Sequence, residues 1–243
     1  MSEYMEKVER EMQRWEHKTR REPSMPAKVS KRWQNKINNR LPERFHAVVT
    51  ESVRQMVQAA LVSSDYLSDL NKLEDVPLEE RESIFDKRVT TYKRTAAVEG
   101  AGTGFGGILL GVADFPLLLT IKMKFLFDAG KIYGFNVDEI EERMFLLHVF
   151  QLAFSREEKK KEVFYKITNW EENVRSLKGE AADLRDLDWR SFQLEYRDFI
   201  DLPKTLQLIP GFGAIVGATA NYHYLDILAY HAKNSYRHRL LKG

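Results

Sequence analysis

The chain has 243 residues, with 38 Lys and Arg against 36 Asp and Glu (net charge +2) and no cysteine. Near-neutral charge without a single basic block excludes a dedicated nucleic-acid binder. The missing cysteine excludes disulfides and thiolate metal sites and fits a reducing cytoplasm, and a mean hydropathy of −0.46 excludes a polytopic membrane protein.

The N-terminal MSEYMEKVEREMQRW has no charged region leading into an apolar one, so a secretory signal is not expected. Met5, Val8, Met12 and Trp15 recur at 3-4-3 spacing, one stripe of a helix that Pro23 stops. Ser24 and Pro26 look like a cap and a first turn, and Val29, Trp33 and Ile37 continue a stripe. After Pro42 a broad apolar face runs through Phe45, Val48, Val49, Val53, Met56, Val57, Ala60 and Leu61. NKLEDVP (71–77) reads as a loop, and Pro77 opens a helix with Leu78, Ile84, Phe85, Val89 and Tyr92 inward. Next comes a glycine-rich stretch, EGAGTGFGGILLGVADFP (99–116), after which Asp114 is placed to cap a helix with Pro116 in its first turn. Gly134 sits where a left-handed C-cap belongs, and Asp138 with Glu141 has capping-box spacing. MFLLHVFQLAF (144–154) is apolar on nearly every side, as a central buried helix would be, and too short to span a bilayer. Ser155 with Glu158 starts a helix that Gly179 ends, and a further helix is expected at 188–201. LIPGFGAIVGATANYHYLDILAY (208–230) and a basic tail close the chain. No alternating strand pattern occurs. The fold class is all-α, about eight helices, divided into a basic amphipathic N-terminal arm (1–41) and one helical domain (42–243).

Gly102, Gly104 and Gly107 satisfy G-x-G-x-x-G, but the preceding residues look helical and no sheet is available, so a dinucleotide loop does not fit. Gly102 and Gly106, Gly107 and Gly111, and Gly213 and Gly217 are each four apart, which places small residues on one helix face and permits close approach of a second helix. Each glycine within a helix costs up to about 1 kcal/mol relative to alanine, so such a density needs a compensating contact. Insertion into lipid is the competing use. Residues 100–121 hold one charge, Asp114, and residues 205–225 hold none. Polar Asp114, Asn221, His223 and Asp226 oppose a stable span and favour a shallow hairpin instead. Lys122 and Lys124 bound the first stretch early.

The blocks GAGTGFGGILLGVADFPLLLTI (100–121), KIYGFNVDEIEERMFLLHVFQLA (131–153) and IPGFGAIVGATANYHYLDILAYHAKNSYRHRLL (209–241) resemble, in order and spacing, the EcsC family of bacterial proteins, over roughly the C-terminal 60% of the chain. The motif positions are Gly102, Gly104, Gly107, Asp114, Pro116, Gly134, Pro210, Gly213, Gly217 and Asn221, with Gly106, Gly111 and Gly211 completing the glycine faces. The resemblance implies a place beside the Ecs ABC transporter, a system connected with exoprotein secretion and competence in Firmicutes. It implies no catalytic residue.

Residues 1–44 carry 12 bases and 7 acids, the stretch 63–86 carries 2 and 8, and the last thirteen residues carry bases only. Trp15, Arg20, Arg21, Lys233, Arg237 and Arg239 are therefore candidates for contact with an anionic membrane surface. No nucleophile elbow or HExxH signature is present, and no catalytic, cofactor or metal site is assigned. His148 reads as a satisfied core histidine. The expectation is a non-enzymatic accessory protein, cytoplasmic or peripheral on the inner face of the membrane, partnered by anionic lipid and ABC transporter subunits and not by nucleic acid. The alternative is a soluble helical enzyme or small-molecule or lipid binder with a pocket near Asp114, Asn221, His223 and Asp226.

Overall fold

The computed structural model describes residues 2–20, 43–62, 70–103, 115–155, 157–180 and 214–243. Among these it holds eight helices and no strand: α1 Glu3–Arg20, α2 Glu43–Val62, α3 Leu78–Thr103, α4 Phe115–Ile132, α5 Ile140–Phe154, α6 Glu157–Thr168, α7 Trp170–Glu180 and α8 Ala214–Lys242. The sequence assignment of an all-α fold holds. The expected helices over 24–41 and 188–201 lie outside the described residues.

α5 is the centre. Every residue from Met144 to Phe154 is buried, Glu142 with them. α2, α4, α6 and α8 all pack against it, so no side of α5 faces water, as its unbroken apolar sequence requires. Each fully buried Leu or Phe there contributes roughly 1.5–3 kcal/mol. α1 shows the opposite pattern: Val8, Met12, Trp15 and Thr19 form its one buried stripe, with Glu3 and Glu6 at its start and basic residues in its last turn. Trp15 belongs to the same core as α5, because α1 lies across α8 and α6.

α4 ends in a Schellman motif. Phe135 N–H donates to Gly130 C=O (2.9 Å), Gly134 N–H donates to Lys131 C=O (3.1 Å), and Gly134 takes φ +87°, so the left-handed cap is present. The expected capping box is not how α5 begins. The helix starts at Ile140, and Glu139 in the cap position makes no side-chain cap bond. Asn136 shapes this turn instead: its Oδ1 accepts from Asp138 N–H (3.2 Å) and its Nδ2 donates to Glu139 Oε1 (3.0 Å), an Asx turn that competes with capping. Gly130 marks a close helix contact. A Cβ there would lie 2.7 Å from Val137 Cγ1 and 2.9 Å from Tyr236 Oη, so α4 and α8 approach over this glycine.

Candidate functional site

α3 and α8 form the most extensive helix pair, running antiparallel and laced by charges at regular intervals. Arg237 holds Glu82 through a two-pronged contact, Nε to Oε1 at 2.5 Å and Nη2 to Oε2 at 2.6 Å. Lys233 Nζ meets Asp86 Oδ1 at 3.0 Å and Glu82 Oε2 at 3.4 Å. Lys93 Nζ meets Asp226 Oδ1 at 2.5 Å. Position 82 thus pairs with 237, 86 with 233 and 93 with 226, one register throughout.

One end of this pair is closed by polar groups. Arg237, 2% exposed, also donates to Glu11 of α1 (2.7 Å), and Lys242 pairs with Glu16 at 2.5 Å. Burial alone would raise the Glu82 carboxyl, but the hydrogen bonds and charge of Arg237, with Lys233, outweigh it and hold Glu82 below its ordinary range. Glu142 of α5 accepts from Tyr236 Oη (2.6 Å) and from Arg239. Burial wins there, and the Glu142 carboxyl is pushed up despite both donors. The Arg239 guanidinium lies over Phe135 and Phe145, 4.1 and 4.7 Å from their centroids. Trp15 Nε1–H donates to His231 Nδ1 (3.1 Å), and burial, then the Lys160 and Lys18 charges, drop His231 to about 3.

The other end exposes apolar side chains. α3 and α4 are also antiparallel: Arg81 donates to Tyr133 C=O, Phe85 meets Phe125 at 5.5 Å, and Tyr92 Oη donates to Asp128 Oδ2 at 2.8 Å. The C-terminus of α3 therefore lies beside the starts of α4 and α8, and the two glycine-rich stretches, 104–114 and 202–213, continue from these three helix ends. Val98, Leu117 and Tyr222 are exposed there, at 71%, 44% and 45%. One level inward, the Lys93 ammonium sits 3.8 Å from the Tyr222 ring centroid. On that level of α4 stands Lys122, fully buried, with its Nζ only 3.4 Å from the Leu118 carbonyl. Burial pulls its pKa down to about 7.

A match to the EcsC protein family spans residues 6–241. The chain belongs to the EcsC family. It is 46% identical to "Protein EcsC" of Bacillus subtilis (strain 168) over 94% of this chain and 92% of the relative. A second protein of that organism, "Uncharacterized protein YdbA", is 28% identical over 67% of this chain and 58% of its own length. No solved structure matches. The family match begins inside α1, earlier than the C-terminal 60% that carries the sequence resemblance.

In this EcsC-family chain four of the proposed membrane-surface residues, Trp15, Lys233, Arg237 and Arg239, are engaged inside the fold. Trp15 is 0% exposed and bonded to His231, and Arg237 is buried against Glu82 and Glu11, so neither is a surface group. Lys233 is spent on Asp86 and Glu82, and Arg239 on Glu142. The physical reason is common to all four: each meets a partner from α1, α3, α5 or α8 that the linear sequence does not place beside it. Arg20 is exposed, its guanidinium 5.2 Å from the Phe164 centroid, and Arg21 lies outside the described residues. Of the glycine-block positions, Pro116 is exposed at the start of α4. Gly102, Gly217 and Asn221 belong to α3 and α8, while Gly104, Gly106, Gly107, Gly111, Asp114, Pro210, Gly211 and Gly213 lie outside the described residues. Asp226 turns to Lys93, and His223 is exposed. His148 is a core residue, its Nδ1–H donating to Met144 C=O at 2.7 Å. Among the described residues no helix is long and apolar enough to cross a membrane.

Lys122 was read as the polar edge of an apolar segment, whereas it is interior. The signal was present: Leu118, Phe125 and Leu126 stand four before, three after and four after it, on one helical face.

Proposed function

We propose that this EcsC-family protein is a non-enzymatic accessory that settles on the cytoplasmic face of the membrane by its glycine-rich end, beside an ABC transporter serving secretion and competence. The observation that carries this reading is the convergence of three helix ends that expose apolar side chains. Two low-charge stretches, 104–114 and 202–213, adjoin these ends in sequence, and Val98 and Leu117 are exposed on them. Tyr222, with the Lys93 ammonium against its ring, and the exposed Arg94 lie close by, the aromatic and basic pattern that marks a membrane–water boundary. Apolar contact takes the larger part in this docking, since Lys233, Arg237, Arg239 and Lys242 of the C-terminal end are drawn into internal ion pairs. The register of α3 and α8, carried on to their ends, pairs position 102 with 217, both glycine. This supports close approach of α3 and α8 at these two positions.

Cell fractionation tests the reading. The protein is expected in the membrane pellet in low and in high salt, and in the supernatant after carbonate. Recovery in the supernatant at low salt overturns it. Co-purification with transporter subunits from detergent-solubilised membranes tests the partner.

A further inference from the structure

We propose that the outer face of α1 is a binding site for a compact anion carrying two or more linked phosphates, held by Arg10, Gln13, Arg14 and His17. The site is independent of the membrane reading, and every side chain in it is already exposed.

The fold sorts the charges of α1. Val8, Met12, Trp15 and Thr19 are its buried stripe, and two acids that flank this stripe are drawn inward, Glu11 onto Arg237 at 2.7 Å and Glu16 onto Lys242 at 2.5 Å. Arg10, Gln13, Arg14 and His17 stand on the opposite side, at the three- and four-residue spacing that makes one helical face. Together they line an open groove of about 310 Å³. No carboxylate is among these lining residues. Glu6, one turn away, comes only to 3.8 Å of Arg10, with both side chains at least half exposed, a solvent-screened contact that contributes little. Among the described residues no carboxylate pairs with Arg14. The groove is therefore a concave surface whose lining offers cations and N–H donors and no counter-charge.

The donor set says which anion. Each guanidinium presents a planar fork of N–H groups that matches two oxygens of one phosphate. Neighbours four apart on a helix stand roughly 5–6 Å from each other, so two forks in a row suit an anion whose charge extends over several ångströms better than a single phosphate. Gln13 adds an amide N–H and His17 a ring N–H along the same face. Size excludes larger partners. A groove of this volume is at the small end of ligand pockets, whereas a protein partner needs about 800 Å² on each side, far more than four side chains supply. Position excludes the bilayer as the source of the phosphates. Trp15, beside Arg14, bonds to His231, which stands seventeen residues beyond Ala214 where α8 starts, roughly 25 Å along the axis at about 1.5 Å per residue. That is about three screening lengths in physiological salt from the end proposed to meet lipid.

Isothermal titration calorimetry of the full chain tests this, with inorganic tripolyphosphate, pyrophosphate and orthophosphate as probes at one ionic strength. Wild type is expected to bind tripolyphosphate most tightly and orthophosphate least, and to melt higher with tripolyphosphate present. Arg14→Gln is expected to weaken tripolyphosphate about tenfold, the worth of one charge-assisted hydrogen bond, and to leave the melting temperature of the unliganded protein unchanged. Lys87→Gln makes the same charge change at an exposed position of α3 and is expected to keep the affinity within about twofold. Failure of wild type to bind tripolyphosphate overturns the site. Equal loss in Arg14→Gln and Lys87→Gln overturns it too, by reducing the binding to diffuse attraction. Arg14-dependent binding of phosphatidylglycerol vesicles with no binding of tripolyphosphate assigns the face to lipid and likewise overturns it, while vesicle binding that Arg14→Gln leaves unchanged, beside Arg14-dependent binding of tripolyphosphate, supports both the site and its separation from the membrane-facing end.

Discussion

Two buried groups contribute to the pH dependence of this protein's stability in different ranges. Lys122 is held at about 7 by burial, against 10.5 when unfolded. Between those values the unfolded chain binds a proton that the folded chain does not, so stability rises with pH from about 7 to 10.5, and below 7 the full penalty is present. At about 1.4 kcal/mol per pH unit the penalty is roughly 4–5 kcal/mol. Lys122→Met is therefore expected to stabilise by an amount of that order at pH 7 and by progressively less toward pH 10, read from denaturant melts across the range. His231 contributes on the acid side, with a folded value of about 3 against 6.5 unfolded. Its contribution is whole above 6.5 and is lost as pH falls toward 3. The Arg237–Glu82 contact is a different kind of residue-level term. Either single replacement, Arg237→Met or Glu82→Gln, strands a buried charge or polar group and is expected to cost about 3–5 kcal/mol. The double replacement is expected to cost less than the two singles together, a coupling that a double-mutant cycle measures.

Among the elements, those whose surroundings are written in their own sequence were legible before the structure. α5 is apolar on all sides and is buried on all sides. α1 has one apolar stripe and buries it. Gly134 needed only its neighbours to be recognised as a cap, and it is one. What a short window does not contain was missed or misplaced. The partners of Arg237 are 155 and 226 positions away, so the tail looked like a free basic surface when it is the inside of a helix contact. The Asp138 and Glu141 spacing was right for a capping box, yet Asn136 folds the chain into a turn first and moves the helix start to Ile140. Gly130 drew no notice as a lone glycine, although Tyr236 packs against it. The pairing of Gly102 with Gly217 is an element-level expectation that melting can check. Ala for Gly in an exposed helix gains up to about 1 kcal/mol. Gly217→Ala is expected to lose stability, because the register of the α3–α8 ion pairs, carried on, sets position 217 opposite Gly102. A gain in melting temperature would separate the two helix ends.

At the scale of the whole molecule the ends differ in kind. At one, charged groups of α1, α3, α5 and α8 interlock; at the other, the ends of α3, α4 and α8 lie together and expose Val98, Leu117 and Tyr222. The sequence showed basic and glycine-rich regions as two reasons to approach lipid, and the fold sets them apart along α8, whose 29 residues span roughly 43 Å at about 1.5 Å each. That length has an electrostatic consequence. In physiological salt a charge is felt over about 8 Å, so in the proposed membrane-bound state the Glu16–Lys242 clasp stands several screening lengths from the bilayer surface. The upper extremity is then invisible to the bilayer's charge and open to proteins that stand at the same height.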